Sequence, residues 1–158
     1  MIRIIACGTV KDAWLRDGIQ EYLKRLRAYD KLEIVEVPDE KAPASNSDAQ
    51  NAKAIRTEGE KLLKRISADE YVILLDLAGK AMDSEAFAHT LDRLYAEGHT
   101  KLAFVIGGSL GVSDDLIRRA DMRWQLSRAT FPHQLCRLIV LEQIYRAYKI
   151  LRNEPYHK

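Results

Sequence analysis

Short apolar runs alternate along the chain with longer stretches in which apolar residues recur every three or four positions, and these two periods separate strands from helices. Ile2 to Cys7 is an apolar run closed by Gly8. Leu15, Ile19, Tyr22, Leu23 and Leu26 follow at helical spacing, so a strand and then an amphipathic helix are predicted. Leu32 to Val37 interleaves Leu, Ile and Val with Glu33 and Glu36 and stops at Pro38, the pattern of a second strand with one polar face. Asp39 to Ser47 has loop chemistry. Ser47 with Gln50 three residues on is a capping-box signal for a helix whose inward face should carry Ala52, Ile55, Gly59, Leu62, Leu63 and Ile66.

Tyr71 to Leu75 is an unbroken apolar run, as a strand covered on both faces requires, and it ends in Asp76-Leu-Ala-Gly79-Lys80. A helix is predicted from about Ser84, with Phe87, Leu91, Leu94 and Tyr95 inward, stopping at Gly98. Lys101 to Ile106 reads as a fourth strand running into Gly107-Gly-Ser-Leu-Gly111. Ser113 should cap a short helix, with Asp114 and Asp115 at its positive end. Trp124 to Leu126 reads as a brief fifth strand. Pro132 suits the first turn of a final helix of about five turns, because proline has no amide hydrogen to lose there. Apolar residues surround this last helix instead of forming one stripe, so it must be buried on more than one side. A second copy of the chain is one surface that could do this, which predicts a homodimer.

Strands alternating with helices indicate one α/β domain over residues 1–158, with a mainly parallel sheet flanked by helices. Ligands on such sheets bind outside the strand carboxyl ends, here Gly8, Asp76 to Gly79, Gly107 to Gly111 and Ser127 to Thr130. The composition, 47% apolar and 30% charged with 8 Gly and 4 Pro in 158 residues, is that of a globular chain. No window approaches the roughly 18 consecutive apolar residues of a membrane span, and the first residues lack a signal-peptide pattern, so a cytoplasmic protein is expected. Cys7 and Cys136 have no metal or redox spacing and are expected to be buried thiols; no metal site is expected. Net charge is only +2. From Arg118 onward, however, nine Lys or Arg face three Asp or Glu, which suits a polyanion as well as an ordinary solvated helix face.

The loop Gly107 to Gly111 lacks the spacing of a dinucleotide fingerprint and has no Gly-Lys-Ser/Thr, so it is either a plain tight turn or a different kind of ligand loop. His133 and Arg137 share one face of the final helix, a turn apart. Imidazole can accept a proton near neutral pH and guanidinium can stabilise an anion or hold phosphate; a capping histidine and a surface ion pair are the simpler reading. Cys136 beside His133 lies in too apolar a helix for a nucleophilic thiolate. The ending Arg152 to Lys158 is either frayed or ordered by packing, and in the second case Tyr156 could stack on a base and His157 hydrogen-bond it. Glu142 and Arg146 are spaced to pair, and His89 and His99 are assigned no role.

In order along the chain, Leu75-Asp76-x-x-Gly79-Lys80, Ile106-Gly-Gly-x-x-Gly111, Ser127-x-x-Thr130-Phe-Pro-His133, Arg137, Glu142-Gln-Ile-Tyr-Arg-Ala147 and Pro155-Tyr-His157 resemble the RlmH (YbeA-like) family of SPOUT-class methyltransferases. Gln125 and Ala129 depart from the family pattern, where serine and a larger apolar residue are expected. The resemblance implies a SPOUT α/β fold with a C-terminal trefoil knot and a homodimer whose interface carries the active site. It implies S-adenosyl-L-methionine as cofactor, held by Leu75, Gly107 and the run Leu126, Ser127, Arg128, Ala129, Thr130 and Phe131. The implied reaction is N3-methylation of pseudouridine 1915 in helix 69 of 23S rRNA, on the assembled 70S ribosome. His133 then becomes the candidate base, Arg137 an anion or RNA contact, and Tyr156 and His157 the grip on the nucleotide, with His157 a competing base. A non-catalytic ribosome-binding protein of the same fold and a transfer-RNA base methyltransferase are the alternatives.

Overall fold

The structure, a computed structural model, describes residues 1–41 and 47–158. Its elements run β1 (Ile2–Cys7), α1 (Ala13–Leu26), β2 (Leu32–Val37), α2 (Asp48–Leu63), β3 (Tyr71–Ala81), α3 (Ser84–Ala96), β4 (Leu102–Ile106), α4 (Asp114–Arg119), β5 (Met122–Gln125) and α5 (His133–Leu151). All strand pairs are parallel, in the order β2-β1-β4-β3-β5. The α/β class with a parallel sheet flanked by helices is thus as the patterning predicts. Most of the loop reading between Asp39 and Ser47 lies at residues 42–46, outside the described residues.

Alternation along each strand sorts side chains to two faces. Ile2, Ile4 and Ala6 of β1 join Ile73, Leu102, Phe104 and Ile106 in a core closed by α1, α3 and α5. Ile5 and Cys7 join Val72, Leu74, Ala103 and Val105 in a second core on the α2 and α4 side. Ser47 accepts the Gln50 N–H and Ser113 the Leu116 N–H, so both predicted caps form.

Several elements differ from the sequence pattern. β3 runs on to Ala81 instead of stopping at Leu75, because β5 pairs with it on both sides of a register shift between Leu75 and Lys80. Gly79 makes this possible: a Cβ there would stand 2.6 Å from the carbonyl carbon of Arg123 in β5. β5 is Met122–Gln125, two residues ahead of the predicted Trp124 start. On α2 the buried residues are Ala54, Glu58, Gly59 and Leu62, while Ala52 is exposed, so the inward face is rotated from the apolar pattern and includes an acid. Pro132 is the capping residue before α5, not a residue of its first turn.

Much of the all-round apolar character of α5 has its explanation within the chain, although Leu135, Leu138, Ile139, Ile150 and Leu151 stay partly exposed. α1 packs on one side of it, α3 on another, and β1 and β4 lie against it too. A second copy is therefore not needed to account for Val140, Leu141, Ile144 and Ala147, which are fully buried already. No helix among the described residues is long and apolar enough to cross a membrane.

Candidate functional site

At the carboxyl side of the sheet a cavity of about 630 Å³ opens between the shift in β3, the loop after β4, the loop after β5 and the start of α5. Leu75, Asp76 and Leu77 form one wall; Ile106, Gly107, Gly108, Ser109, Gly111 and Val112 form the second; Leu126, Ser127, Ala129, Thr130, Phe131, Pro132, His133 and Cys136 complete it. Each wall is tied to another. Arg123 donates to Asp76 Oδ2 at 2.7 Å, and the Gln125 amide donates to the Leu77 carbonyl at 2.8 Å. Ser127 Oγ accepts the Ala129 N–H at 3.0 Å and sets the turn that follows β5. Gln125, one of the two departures from the family pattern, thus braces the wall, and Ala129, the other, lines it.

Of the residues the sequence put forward as cofactor contacts, Leu75, Gly107, Leu126, Ser127, Ala129, Thr130 and Phe131 all line this cavity. Arg128 does not: its place in the turn leaves it exposed. The structure adds Asp76, Leu77, Ser109, Val112 and Cys136, none of them put forward from the sequence as a cofactor contact, although Asp76 stands in a quoted motif. Asp76 ends the apolar run of β3, and that acid at a strand end was the available signal.

His133 stands in the cavity wall, and its Nε2 is buried with no hydrogen-bond partner. Burial lowers the imidazole pKa, Arg137 lowers it further, and Asp39 and Glu58 oppose the shift. The ring is neutral near pH 7 and able to accept a proton.

Arg137, one turn on, has a different placement from the one expected. Its side chain is fully buried, with Nη2 donating to the carbonyls of Cys7 and Gly8 at 2.6 and 2.7 Å and Nη1 to Glu36 Oε1 at 2.6 Å. Direct contact with RNA or with a reacting base is excluded by that burial. The guanidinium instead fastens α5 to the end of β1. Cys136 is half-buried on the cavity wall, not enclosed as expected, and burial pushes its thiol up, away from thiolate chemistry.

The tail is ordered by packing on its own chain. Tyr156 shares a hydrogen bond with Tyr22 at 3.2 Å, donates to Glu142 Oε1 at 3.1 Å, and meets Tyr145 edge-on with Arg146 over its ring. His157 Nδ1 lies 3.1 Å from Arg146 Nη1, and Arg146 pairs with Glu142 as their spacing suggests. Tyr156 and His157 thus sit along the second half of α5. Glu142 is nine residues beyond His133, about 13 Å along the helix axis. Within one chain the four candidate residues are not brought together: His133 lines the cavity, Arg137 lies beneath it, and Tyr156 and His157 lie farther along the helix. Among the described residues no group of His, Cys, Asp and Glu is placed to hold a metal ion.

A family model described as predicted SPOUT methyltransferase matches residues 1–157. Ribosomal RNA large subunit methyltransferase H of Carboxydothermus hydrogenoformans is 51% identical over 157 residues, and the proteins of that name from Exiguobacterium sp. and Bacillus cereus are 54% and 52% identical. Each alignment covers 99% of both chains. Among solved structures, a probable methylase family protein from Haemophilus influenzae superposes with a TM-score of 0.52 at 14% identity, over 99% of this chain and 70% of that one. A probable methyltransferase from Bordetella pertussis gives 0.52 at 15%, over 92% and 95%. These two speak to the fold alone. With the cavity at the strand ends and the match running from end to end, the chain belongs to the SPOUT methyltransferase family, and within it to the ribosomal RNA large subunit methyltransferase H proteins.

Proposed function

We propose that the protein transfers a methyl group from S-adenosyl-L-methionine to N3 of pseudouridine 1915 in helix 69 of 23S rRNA, acting in the cytoplasm on the assembled 70S ribosome as a knotted homodimer. One observation carries this reading: seven of the eight residues expected to hold the cofactor, all but Arg128, border a single cavity with the candidate base. The cavity fits the cofactor in size and character. About 630 Å³ lies in the range of cofactor sites, and Leu75, Leu126 and Phe131 offer apolar walls for an adenine ring beside bare backbone at Gly107 and Gly108.

When bound, the cofactor supplies an electrophilic sulfonium methyl. The protein's part is chiefly alignment: the walls formed by Leu75, Gly107, Leu126, Ser127 and Ala129 to Phe131 would hold the cofactor, and the transfer would then need little more than orientation of the two reactants. His133, neutral and on the cavity wall, takes the proton that N3 must lose as its bond to carbon forms. Arg137 acts through position, holding the helix that carries His133 against β1. Tyr156 and His157 grip the nucleotide, and because they lie well away from His133 in their own chain, the partner subunit's tail is the one that completes the site.

Incorporation of labelled methyl into unmodified 70S ribosomes, with the product mapped by mass spectrometry, tests the proposal. Label on the helix 69 pseudouridine is the expected result, and His133→Ala should abolish it while cofactor affinity persists. Full turnover in both His133→Ala and His157→Ala would dismiss both base assignments. Absence of incorporation with no calorimetric cofactor binding would instead favour a non-catalytic ribosome-binding protein. Cofactor binding without incorporation would point to another RNA, such as a transfer RNA base.

A further inference from the structure

Around His133, β1, β2 and α2 bring two carboxylates, Asp39 and Glu58, near enough for their charge to oppose the lowering of its pKa by burial and Arg137. Gly8 ends β1 with φ +84°, a conformation that favours glycine, and its missing side chain leaves an open space. The point where a Cβ would stand is 3.2 Å from His133 Nε2 and 3.5 Å from Asp39 Oδ2, so ring and carboxylate border the same small volume. From α2 comes Glu58, only 5% exposed. Its Oε1 accepts the Glu40 N–H at 2.9 Å, while Oε2 has no hydrogen-bond partner and abuts Gly108 in the cavity wall. The Cys7 thiol is pushed up to about 12 by burial and then by the charge of this same carboxylate and a hydrogen bond to it, and so stays a neutral donor beside Glu58.

Glu58 Oε2, which abuts Gly108 of the cavity wall, and Nε2 of the cavity-lining His133 are both buried without hydrogen-bond partners. A buried carboxylate oxygen without a donor is costly and calls for an explanation in the chemistry of the site. Around the imidazole the charged groups are Arg137 on its own helix, Glu36 of β2 held by that arginine, Asp39 after β2, and Glu58 of α2; the Cys7 and Cys136 thiols are neutral. Protonating His133 with Arg137 alone beside it would set two cations together in a desolvated place. The carboxylates oppose that.

We propose that Glu58 and Asp39 are positioning residues for His133: they draw its Nε2–H to their side, leave Nδ1 to receive the substrate proton, and stabilise the imidazolium that results. The proton leaves N3 for Nδ1 and afterwards passes to solvent, so the carboxylates change charge at no stage. This deepens the reading of His133 as the base and rests on it. The logic is that of an acid behind a catalytic histidine, which fixes tautomer and orientation without itself taking the proton.

The test uses the full-length protein with Glu58→Gln, Asp39→Asn and both together. Glutamine keeps the size of Glu58 and an acceptor for the Glu40 N–H, and Asp39 is exposed, so its replacement leaves the core intact. Imidazole titrations by NMR, with the His133 signal assigned by its loss in His133→Gln, should show the His133 midpoint falling in each single variant and further in the double, while His89 and His99 stay put. In ribosome methylation, kcat should drop about tenfold or more and its acid limb move to lower pH, with KM for the cofactor unchanged. Glu58→Asp should recover part of the loss. An unmoved His133 midpoint in the double variant, or an unchanged kcat, overturns the proposal; if Glu58→Gln fails to fold, Asp39→Asn decides alone. Should the wild-type protein methylate no ribosome, the methyl-transfer reading falls, and the titration still judges the coupling by itself.

Discussion

Arg137 brings two kinds of information into conflict. Its spacing from His133 places both on one face of α5, and that much the sequence conveys. Which of the two meets the cavity depends on the free carbonyls at the end of β1, a partner more than a hundred residues away, so no local pattern could show it. Three hydrogen bonds from a fully enclosed guanidinium make it a fastening, and breaking them leaves two buried carbonyls unpaired. Arg137→Met should lower the unfolding free energy by about 2–4 kcal/mol in urea titrations, because Glu36 regains solvent while Cys7 and Gly8 do not. A residue serving chiefly as an RNA contact would leave that free energy unaltered. His133 was the more legible of the pair, since a histidine just after a proline cap at a strand-end loop is well placed whatever lies behind it. Glu58 was not, because an acid on an inward helix face contradicts the apolar pattern used to find that face.

At the level of elements, the apolar runs located every strand and helix, and the errors fall where one element answers to another. β3 extends because β5 resumes pairing beyond the shift, and β5 starts early for the same reason. Nothing in Asp76 to Lys80 alone reveals a partner strand. The residues proposed to hold the cofactor are recognisable as motifs, whereas Leu77 and Cys136 enter the wall through the shift in β3 and the pitch of α5. Gly79 holds the two walls in register, since the backbone of β5 passes where any side chain would stand. Gly79→Ala should therefore cost about 1–3 kcal/mol in thermal unfolding and weaken cofactor binding in calorimetry, as Leu75 to Leu77 and Leu126 to Phe131 move apart together. A substitution that lowered the melting temperature yet kept full cofactor affinity would show that the shift matters to the sheet alone.

Across the whole molecule, the α/β class and the ligand edge follow from strand and helix order, and the circumference of α5 is only partly covered within the chain. α1 and α3 enclose Val140, Leu141, Ile144 and Ala147, while Leu135, Leu138, Ile139, Ile150 and Leu151 stay partly exposed, so the proposal of two copies rests on that remaining surface and on the separated tail. Charge is a property of this scale as well. The surplus of basic residues after Arg118 is partly neutralised, with Arg123, Arg146 and Lys149 each paired to an acid, which leaves a modest attraction for a polyanion. Ribosome binding should still weaken between about 50 and about 200 mM salt, with a shallow slope in a filter-binding or sedimentation assay, and free 23S rRNA should be the poorer substrate. A salt-independent affinity, or equal rates on free rRNA and ribosomes, would contradict recognition of a shaped particle by a few phosphate contacts. The cavity has a further property that comes from where its walls lie in the chain. All of them lie between Leu75 and Cys136, beyond β1, α1, β2 and α2, and the last is the opening turn of the final helix. A copy still being synthesised can carry three walls and no floor, so it cannot hold the methyl donor until α5 has docked. Under the proposed function, binding of the donor therefore waits on the docking of that helix, and each bound donor would in turn make the helix harder to lose.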